Sequence, residues 1–294
     1  MFEVVVVGGV FREILDGDTD PQPRFGGSAL IAAILASRFG ASTSIAGYVG
    51  EEDADAIVAM LTAAGVDTAS LAVVPGASGT FVFPTRAEPP WPMYRPAEAV
   101  PKTSFAIPDA KLYLVFGIPD IDPVALGWLS AIRRTAHLVW DRQGWLSRAR
   151  NASSAASLPP LSKTYVANVE EAIAEFRASN KDELIERMPP DGFQSAVVKA
   201  GRAGCTVVQG EEGHRAVKRV AAFVVERPNT IGSGDAFAGA LVACMSRGLA
   251  TSDAALAANA AASSFLTFGG DPLAPDLVGK AQALLDGVNS STSA

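Results

Sequence analysis

The 294-residue sequence predicts an α/β fold built on an open, mostly parallel sheet with helices on both faces. Three observations lead there. Short apolar strands alternate with helical segments along most of the chain. The first strand, Val4 to Val7, is a continuous β-branched run, the pattern of a strand buried on both faces. The length allows one large domain, or one plus a small appendage, and apolar residues make up 49% of the chain, enough for a sizeable core.

The elements follow in order. Leu30 to Phe39 reads as a helix and Ser44 to Tyr48 as a strand; Ala56 to Ala64 is a helix ended by Gly65. Leu112 to Phe116, Leu138 to Trp140, Thr164 to Val166 and Ala196 to Val198 are four further short strands, with helices expected over Val124 to Arg134 and Glu170 to Ala178. Thr206 to Val208 and Phe223 to Val225 read as strands, and Ala-rich helices over Ala236 to Arg247 and Ala254 to Phe268 close the pattern. Two stretches break the alternation, Phe11 to Phe25 and Leu71 to Pro101. The second has no helical period and carries Pro84, Pro89, Pro90, Pro92 and Pro96, with Gly79 to Phe83 reading as a strand. A loop of that length without a task is unusual. Asn289 to Ala294 is Ser-rich and is expected to be a disordered tail, leaving 1–288 as the domain.

Composition narrows the function. A net charge of −7 argues against a nucleic-acid surface, so any polyphosphate must be held by local donors. Cys205 and Cys244 stand far apart in apolar contexts without metal spacing, which suits buried thiols in a reducing cytoplasm. Met1-Phe2-Glu3-Val4 runs directly into a strand rather than a signal peptide, and no apolar run is long enough to span a membrane. There is no Gly-x4-Gly-Lys-Ser/Thr loop, and Gly8-Gly9 does not extend to a dinucleotide fingerprint. His137 and His214 sit in no ligand pair and beside no candidate nucleophile, so a structural role is expected of each.

The most informative segment is Asn229-Thr-Ile-Gly-Ser-Gly-Asp-Ala-Phe-Ala-Gly-Ala-Leu241. A small-residue turn, Gly232-Ser233-Gly234, ends in Asp235, and an apolar helix pattern follows at once. Backbone N–H groups at a helix start attract an anion, helped by the helix dipole. A carboxylate there would repel a phosphate that was merely bound. It makes sense if it accepts the proton of a hydroxyl that attacks the phosphate. The plain alternative is an Asp serving as a helix cap.

This segment resembles the second signature of the ribokinase-like (PfkB) family of sugar and nucleoside kinases, and other landmarks appear in the family's order. Gly26-Gly27 precedes a helix; Gly47-Tyr48-Val49-Gly50 is followed by acidic residues; Asn168-Val-Glu-Glu171 fits Asn-x-x-Glu; Lys199-Ala-Gly-Arg-Ala-Gly204 fits the strand-turn before the nucleotide site; Ala258-Asn259-Ala260-Ala261-Ala262 sits where the adenine-side helix belongs. The resemblance covers nearly the whole chain. It implies a ribokinase-like fold in which the two irregular stretches form a small β-sheet lid, and ATP and Mg²⁺ as cofactors.

It also implies roles. Asp235 would be the general base, with Gly232, Ser233 and Gly234 supplying backbone donors to the transferred phosphoryl group. Asn168 and Glu171 would organise Mg²⁺ and phosphate, Glu171 through water; the alternative for both is helix capping. Lys199, Gly201 and Gly204 would lie near the ATP phosphates, unless Lys199 is simply solvated. Asn259 and Ala262 would border the adenine, or belong to an Ala-rich core helix. Gly26 and Gly27 would adjoin the acceptor. Asp141, at a C-terminal strand edge, would face the ligand crevice.

Departures from the family pattern bear on the acceptor. Glu13, beside Arg12, is the nearest match to the Asp that usually follows the first strand in sugar-binding members; Ile31 stands where an Asn often binds sugar hydroxyls; the acidic residue after Gly50 is Glu52 rather than Asp. A polyol site needs every polar group paired, so Ile31 suggests an acceptor with fewer hydroxyls, or one bound differently. Trp91 and Tyr94 would stack on a flat ring, or Trp91 would pack within the lid. Asn229 replaces an Asp that in several members helps hold an activating monovalent cation, and the neutral amide weakens that site. The resemblance thus implies ATP-dependent transfer to an alcohol of a sugar or sugar-like molecule. A nucleoside kinase, or an idle ligand-binding protein on the same scaffold, are the alternatives. An apolar lid face is expected to offer a homodimer surface.

Overall fold

The computed structural model describes residues 1–15, 24–83, 93–95, 97, 106–116, 136–142, 162–189, 192–210, 214–226 and 230–291. Within them, β1 (Phe2–Val7) lies inside a nine-stranded sheet, with β4 (Thr43–Gly50) on one side and β8 (Ala110–Phe116) on the other, both parallel to it. Beyond β4 lies β5 (Asp67–Val74). Beyond β8 come β9 (His137–Asp141), β10 (Ser162–Asn168) and β11 (Ser195–Lys199), all parallel. β12 (Cys205–Gln209) and β13 (Ala216–Val220) close that side antiparallel.

Residues Val4 to Val7 are fully buried because both sheet faces are covered. On one face Val4, Val6, Leu112 and Leu114 pack against α1 (Ser28–Arg38), α5 (Ser233–Ser246) and α6 (Thr251–Thr267). On the other, Val5, Val7, Tyr113 and Val115 share a core with Ala172 of α3 (Val169–Phe176), Leu184 of α4 (Lys181–Glu186) and Phe193. Cys205 and Cys244 are free and buried, as the sequence suggests, and burial pushes the Cys205 thiol up to about 11. His137 Nε2 lies 2.8 Å from Thr164 Oγ1, a structural contact.

Two features of this topology position the site. The order of the parallel strands reverses at β1, so its C-terminal end opens a crevice of the kind where open α/β sheets bind ligands. The register also brings chemistry to one edge: Phe116 and Val166 flank Asp141, and Asn168 pairs with Lys199. Above that edge stands a separate four-stranded sheet, ordered β3 (Arg24–Gly26), β2 (Phe11–Leu15), β6 (Thr80–Phe83), β7 (Met93–Arg95). This is the expected small lid sheet.

Some expectations need correction. Leu71 to Val74 does not begin the lid; it completes β5, paired in parallel with β4. Phe223 to Val225 is irregular, and the strand lies earlier, at Ala216–Val220, where exposed Lys218 and Arg219 mark an edge strand that apolar patterning does not reveal. The last helix, α7 (Leu277–Ser291), continues past Asn289, where the tail was expected to begin. The expected helix over Val124 to Arg134 falls outside the described residues.

Among the described residues no helix is long and apolar enough to cross a membrane.

Candidate active site

The start of α5 forms the centre of the site. Gly232 takes a left-handed conformation, φ 80°, and a Cβ there would come 2.8 Å from Ile31 Cδ1 and 3.1 Å from Phe265 Cζ. Glycine meets both demands. Ser233 N–H and Oγ–H are turned back to Thr230 O at 3.1 and 2.8 Å, and Asp235 N–H bonds Gly232 O at 3.1 Å. Ser233 N–H, expected as a donor to phosphate, is thus taken up within the turn; among the described residues the N–H groups of Gly232 and Gly234 enter no such backbone bond. Lys199 Nζ lies 3.5 Å from a Cβ position on Gly234, so a cation sits directly against the helix start.

Two cavities meet here. The larger, of about 520 Å³, is lined by Lys199, Gly201, Gly204, Ser233, Gly234, Asn259 and Ala262. The smaller, of about 270 Å³, lies beneath the lid sheet and is lined by Glu13, Gly27, Ser28, Phe11, Phe81, Phe83 and Phe116. Asn168, Glu171 and Asp235 line both. The carboxylate singled out by its place in the sequence thus stands on the shared wall.

Lys199 Nζ donates to Asp141 at 3.1 and 2.8 Å. Asp141 is fully buried and lines neither cavity, which corrects the expectation that it faces the crevice. Its role is to hold the lysine. Burial pushes the Asp141 carboxyl up to about 7, with Lys199 opposing. Burial also lowers the Lys199 ammonium, but Asp141, Glu171 and Asp235 outweigh it and raise the net value. Lys199 therefore stays cationic where it meets the cavity.

Asn168 and Glu171 form a reciprocal capping box at the start of α3: Glu171 N–H donates to Asn168 Oδ1 at 2.8 Å, and Asn168 N–H to Glu171 Oε2 at 3.1 Å. Capping and site placement coexist, because α3 begins at the sheet edge. Among the described residues no group of three or more His, Cys, Asp or Glu side chains could cage a metal. A Mg²⁺ that keeps most of its water and takes one carboxylate plus phosphate oxygens fits Glu171 beside Asn168, with no dedicated cage.

Glu13 enters the smaller cavity from β2, where its Oε1 accepts Gly27 N–H at 2.9 Å. A Cβ on Gly26 would stand 2.1 Å from that oxygen, so Gly26 makes room for Glu13 rather than touching a ligand. Burial, with Asp235 adding, pushes the Glu13 carboxyl above its ordinary value, against Gly27 N–H and Arg24. Ile31 does not line the cavity; it packs beneath the Gly232 turn, which corrects its assignment as an acceptor contact. Trp91 and Asn229 lie outside the described residues.

The phenylalanines escape sequence reasoning. Phe11, Phe81, Phe83 and Phe116 come from β2, β6 and β8 and converge only in the folded chain, with Phe11 and Phe81 edge-to-face at 4.9 Å. Strand alternation within Phe11–Leu15 and Thr80–Phe83 is the one local signal, since it puts 11 with 13 and 81 with 83. In the larger cavity, Asn259 directs its amide to Ala221 O at 3.0 Å, and Ser263 Oγ donates to Phe223 O. α6 thereby anchors the irregular 221–226 segment, whose Phe223, Val224 and Val225 form an apolar wall.

The comparisons with known proteins bear on family and fold. A family model described as pfkB family carbohydrate kinase matches residues 18–271. A search of curated proteins finds no match. Among solved structures, a ribokinase of Arabidopsis thaliana complexed with ribose and ATP is 18% identical at a TM-score of 0.73, covering 97% of this chain and 98% of that one. A Burkholderia thailandensis nucleoside kinase in complex with inosine is also 18% identical at 0.73, covering 97% and 96%. A Cryptococcus neoformans ribokinase in complex with ADP is 21% identical at 0.68, covering 90% and 93%. At these identities the structural likeness establishes the fold.

Proposed function

From a chain that belongs to the pfkB family of carbohydrate kinases, we propose ATP-dependent phosphoryl transfer to an alcohol of a sugar or sugar-like small molecule. The observation that carries this reading is the position of Asp235, on the wall shared by a larger cavity with a lysine and helix-start donors and a smaller one under the lid. A base at that junction reaches a hydroxyl held in the smaller cavity while the phosphoryl donor occupies the larger.

The roles follow from placement. Asp235 accepts the hydroxyl proton as the new O–P bond forms and the bond from the terminal phosphorus to the leaving ADP breaks. Gly234 N–H and the positive end of α5 stabilise charge on the transferring group, and Lys199, held by Asp141, offsets phosphate charge. Glu171 and Asn168 would hold a hydrated Mg²⁺, which when bound draws negative charge from the phosphate oxygens. The apolar wall of 223–225 and the face of α6 at Asn259 and Ala262 fit an adenine ring.

A second reading is favoured by one feature. Four phenyl rings around the smaller cavity suit a flat, hydroxyl-poor acceptor such as a nucleoside better than a polyol. A panel of sugars and nucleosides assayed for ATP consumption separates the two. Asp235→Asn should lower transfer to any accepted substrate by about 10²–10⁴-fold and leave nucleotide affinity nearly intact. Turnover at the wild-type rate in that variant, or no transfer to any panel member by the wild type, would count against the reading.

A further inference from the structure

Arg12 and Asp53 are joined more closely than any role so far requires. Arg12 Nε lies 2.9 Å from each Asp53 carboxylate oxygen, and Nη2 lies 2.7 Å from Oδ1. Asp53 is 2% exposed, whereas Glu52, a weaker second partner at 3.0 Å, is 56% exposed. Asp53 occupies the cap position of α2 (Ala54–Ala63), but its side chain makes no capping hydrogen bond. Its Oδ2 instead accepts Ser78 N–H at 2.9 Å, and Ser78 Oγ accepts Gly50 N–H at 2.9 Å. Arg12 N–H adds a bond to Gly79 O at 2.9 Å. One knot thus ties β2, the end of β4, the start of α2 and the segment that enters β6.

That knot lies where both central lid strands leave the main sheet. Successive residues of a strand point to opposite faces, so Arg12 faces away from the cavity that Phe11 and Glu13 line. Fixing Arg12 therefore fixes its two neighbours on the opposite face. The grip is strong because it is a charge-assisted bond to a buried carboxylate, with the planar guanidinium meeting both oxygens. Burial alone would raise the Asp53 carboxyl, but Arg12 and the Ser78 N–H outweigh it and hold it below its ordinary value.

We propose that Arg12 and Asp53 are a positioning pair that sets the pose of the lid strand, and with it the Glu13 carboxylate, over the acceptor cavity. The proposal rests on reading the smaller cavity as the acceptor site. A displaced acceptor contact removes binding that ground and transition states share, which reads as a higher acceptor KM. Neither residue touches either cavity, so the pair acts through Glu13 and Phe11.

The test compares Arg12→Gln, Asp53→Asn and the conservative Arg12→Lys with the wild type in two measurements. The first is amide hydrogen exchange in the ligand-free protein. Residues 11–15 and 80–83 should exchange about tenfold faster in Arg12→Gln and Asp53→Asn, while α5 stays at the wild-type rate; Arg12→Lys should fall between. The second is steady-state kinetics with D-ribose and inosine as acceptor probes. Acceptor KM should rise about tenfold or more, with ATP KM unchanged and partial rescue in Arg12→Lys. Wild-type exchange in the lid strands of both variants would overturn the proposal. So would a loss of kcat with acceptor KM unmoved. If Arg12→Gln fails to fold, Asp53→Asn and Arg12→Lys carry the same comparison. Should the wild type phosphorylate neither probe, transfer to these acceptors is refuted, and the exchange measurement alone decides the pair.

Discussion

Lys199 Nζ sits between Asp141, whose carboxylate it meets at 2.8 Å, and the Gly234 end of the helix that carries Asp235. A buried anion behind the cation keeps it charged and aimed at the cavity. The strand register makes this possible, since Asp141 and Lys199 end β9 and β11, on either side of β10.

Lys199→Met should therefore have two effects. It strands a buried carboxylate, which destabilises the fold by up to about 3–5 kcal/mol, read as a lower urea midpoint. It should also raise the KM for ATP. Replacing Asp141 with Asn in the same chain should recover part of the stability but not the ATP affinity. An unchanged midpoint in Lys199→Met would show that the pair carries no structural weight.

Asp141 also predicts a pH dependence. Its carboxyl rises from an ordinary 3.8 to about 7 in the fold, mainly through burial. The native state therefore binds a proton that the unfolded chain has released between those values. The stability from this group is full below about pH 4 and is lost as pH climbs through about 7. Chemical denaturation from pH 4 to 8 should show the wild type losing stability relative to Asp141→Asn across that window. Parallel curves would contradict the assignment.

Glu171→Gln isolates charge from capping. A glutamine oxygen still accepts the Asn168 N–H, so the capping box survives. Loss of the carboxylate should raise the magnesium concentration needed for half-maximal rate, with little change in melting temperature. A magnesium titration that does not move would leave Glu171 as a cap alone.

Gly26→Ala tests the seat of Glu13. The added methyl would come 2.1 Å from Glu13 Oε1 and must displace it. Acceptor KM should rise while ATP KM holds, because the larger cavity is not touched. Equal acceptor KM values in the two proteins would separate Glu13 from acceptor binding.

Phe81→Leu tests the aromatic lining. It keeps an apolar side chain but removes the edge-to-face contact with Phe11. Affinity for a ring-bearing acceptor such as inosine should fall more than affinity for D-ribose. A uniform loss for both would assign Phe81 to general packing of the lid.

Much of this protein was legible before folding was considered. The β-branched run from Val4 to Val7, the Ala-rich helices and the turn that ends in Asp235 are local patterns, and local periodicity and turn chemistry write them directly. Asn168 and Glu171 were legible for the same reason, since a capping box spans three residues. The edge strand at Ala216–Val220 was not, because its exposed face lacks the apolar alternation of a core strand.

The sequence by itself determined the α/β architecture, the kinase-like signature and the carboxylate at the head of α5. Tertiary structure alone decided which acidic residue serves which purpose. Glu52, adjacent to Asp53, stays exposed while Asp53 is buried against Arg12; Asp141 turns from the crevice to hold Lys199; Ile31 retreats beneath the Gly232 turn. Four phenylalanines from three strands become one lining. These outcomes depend on contacts between residues far apart in the chain. A side chain's partner there is set by how sheets and helices pack, and no local period records it.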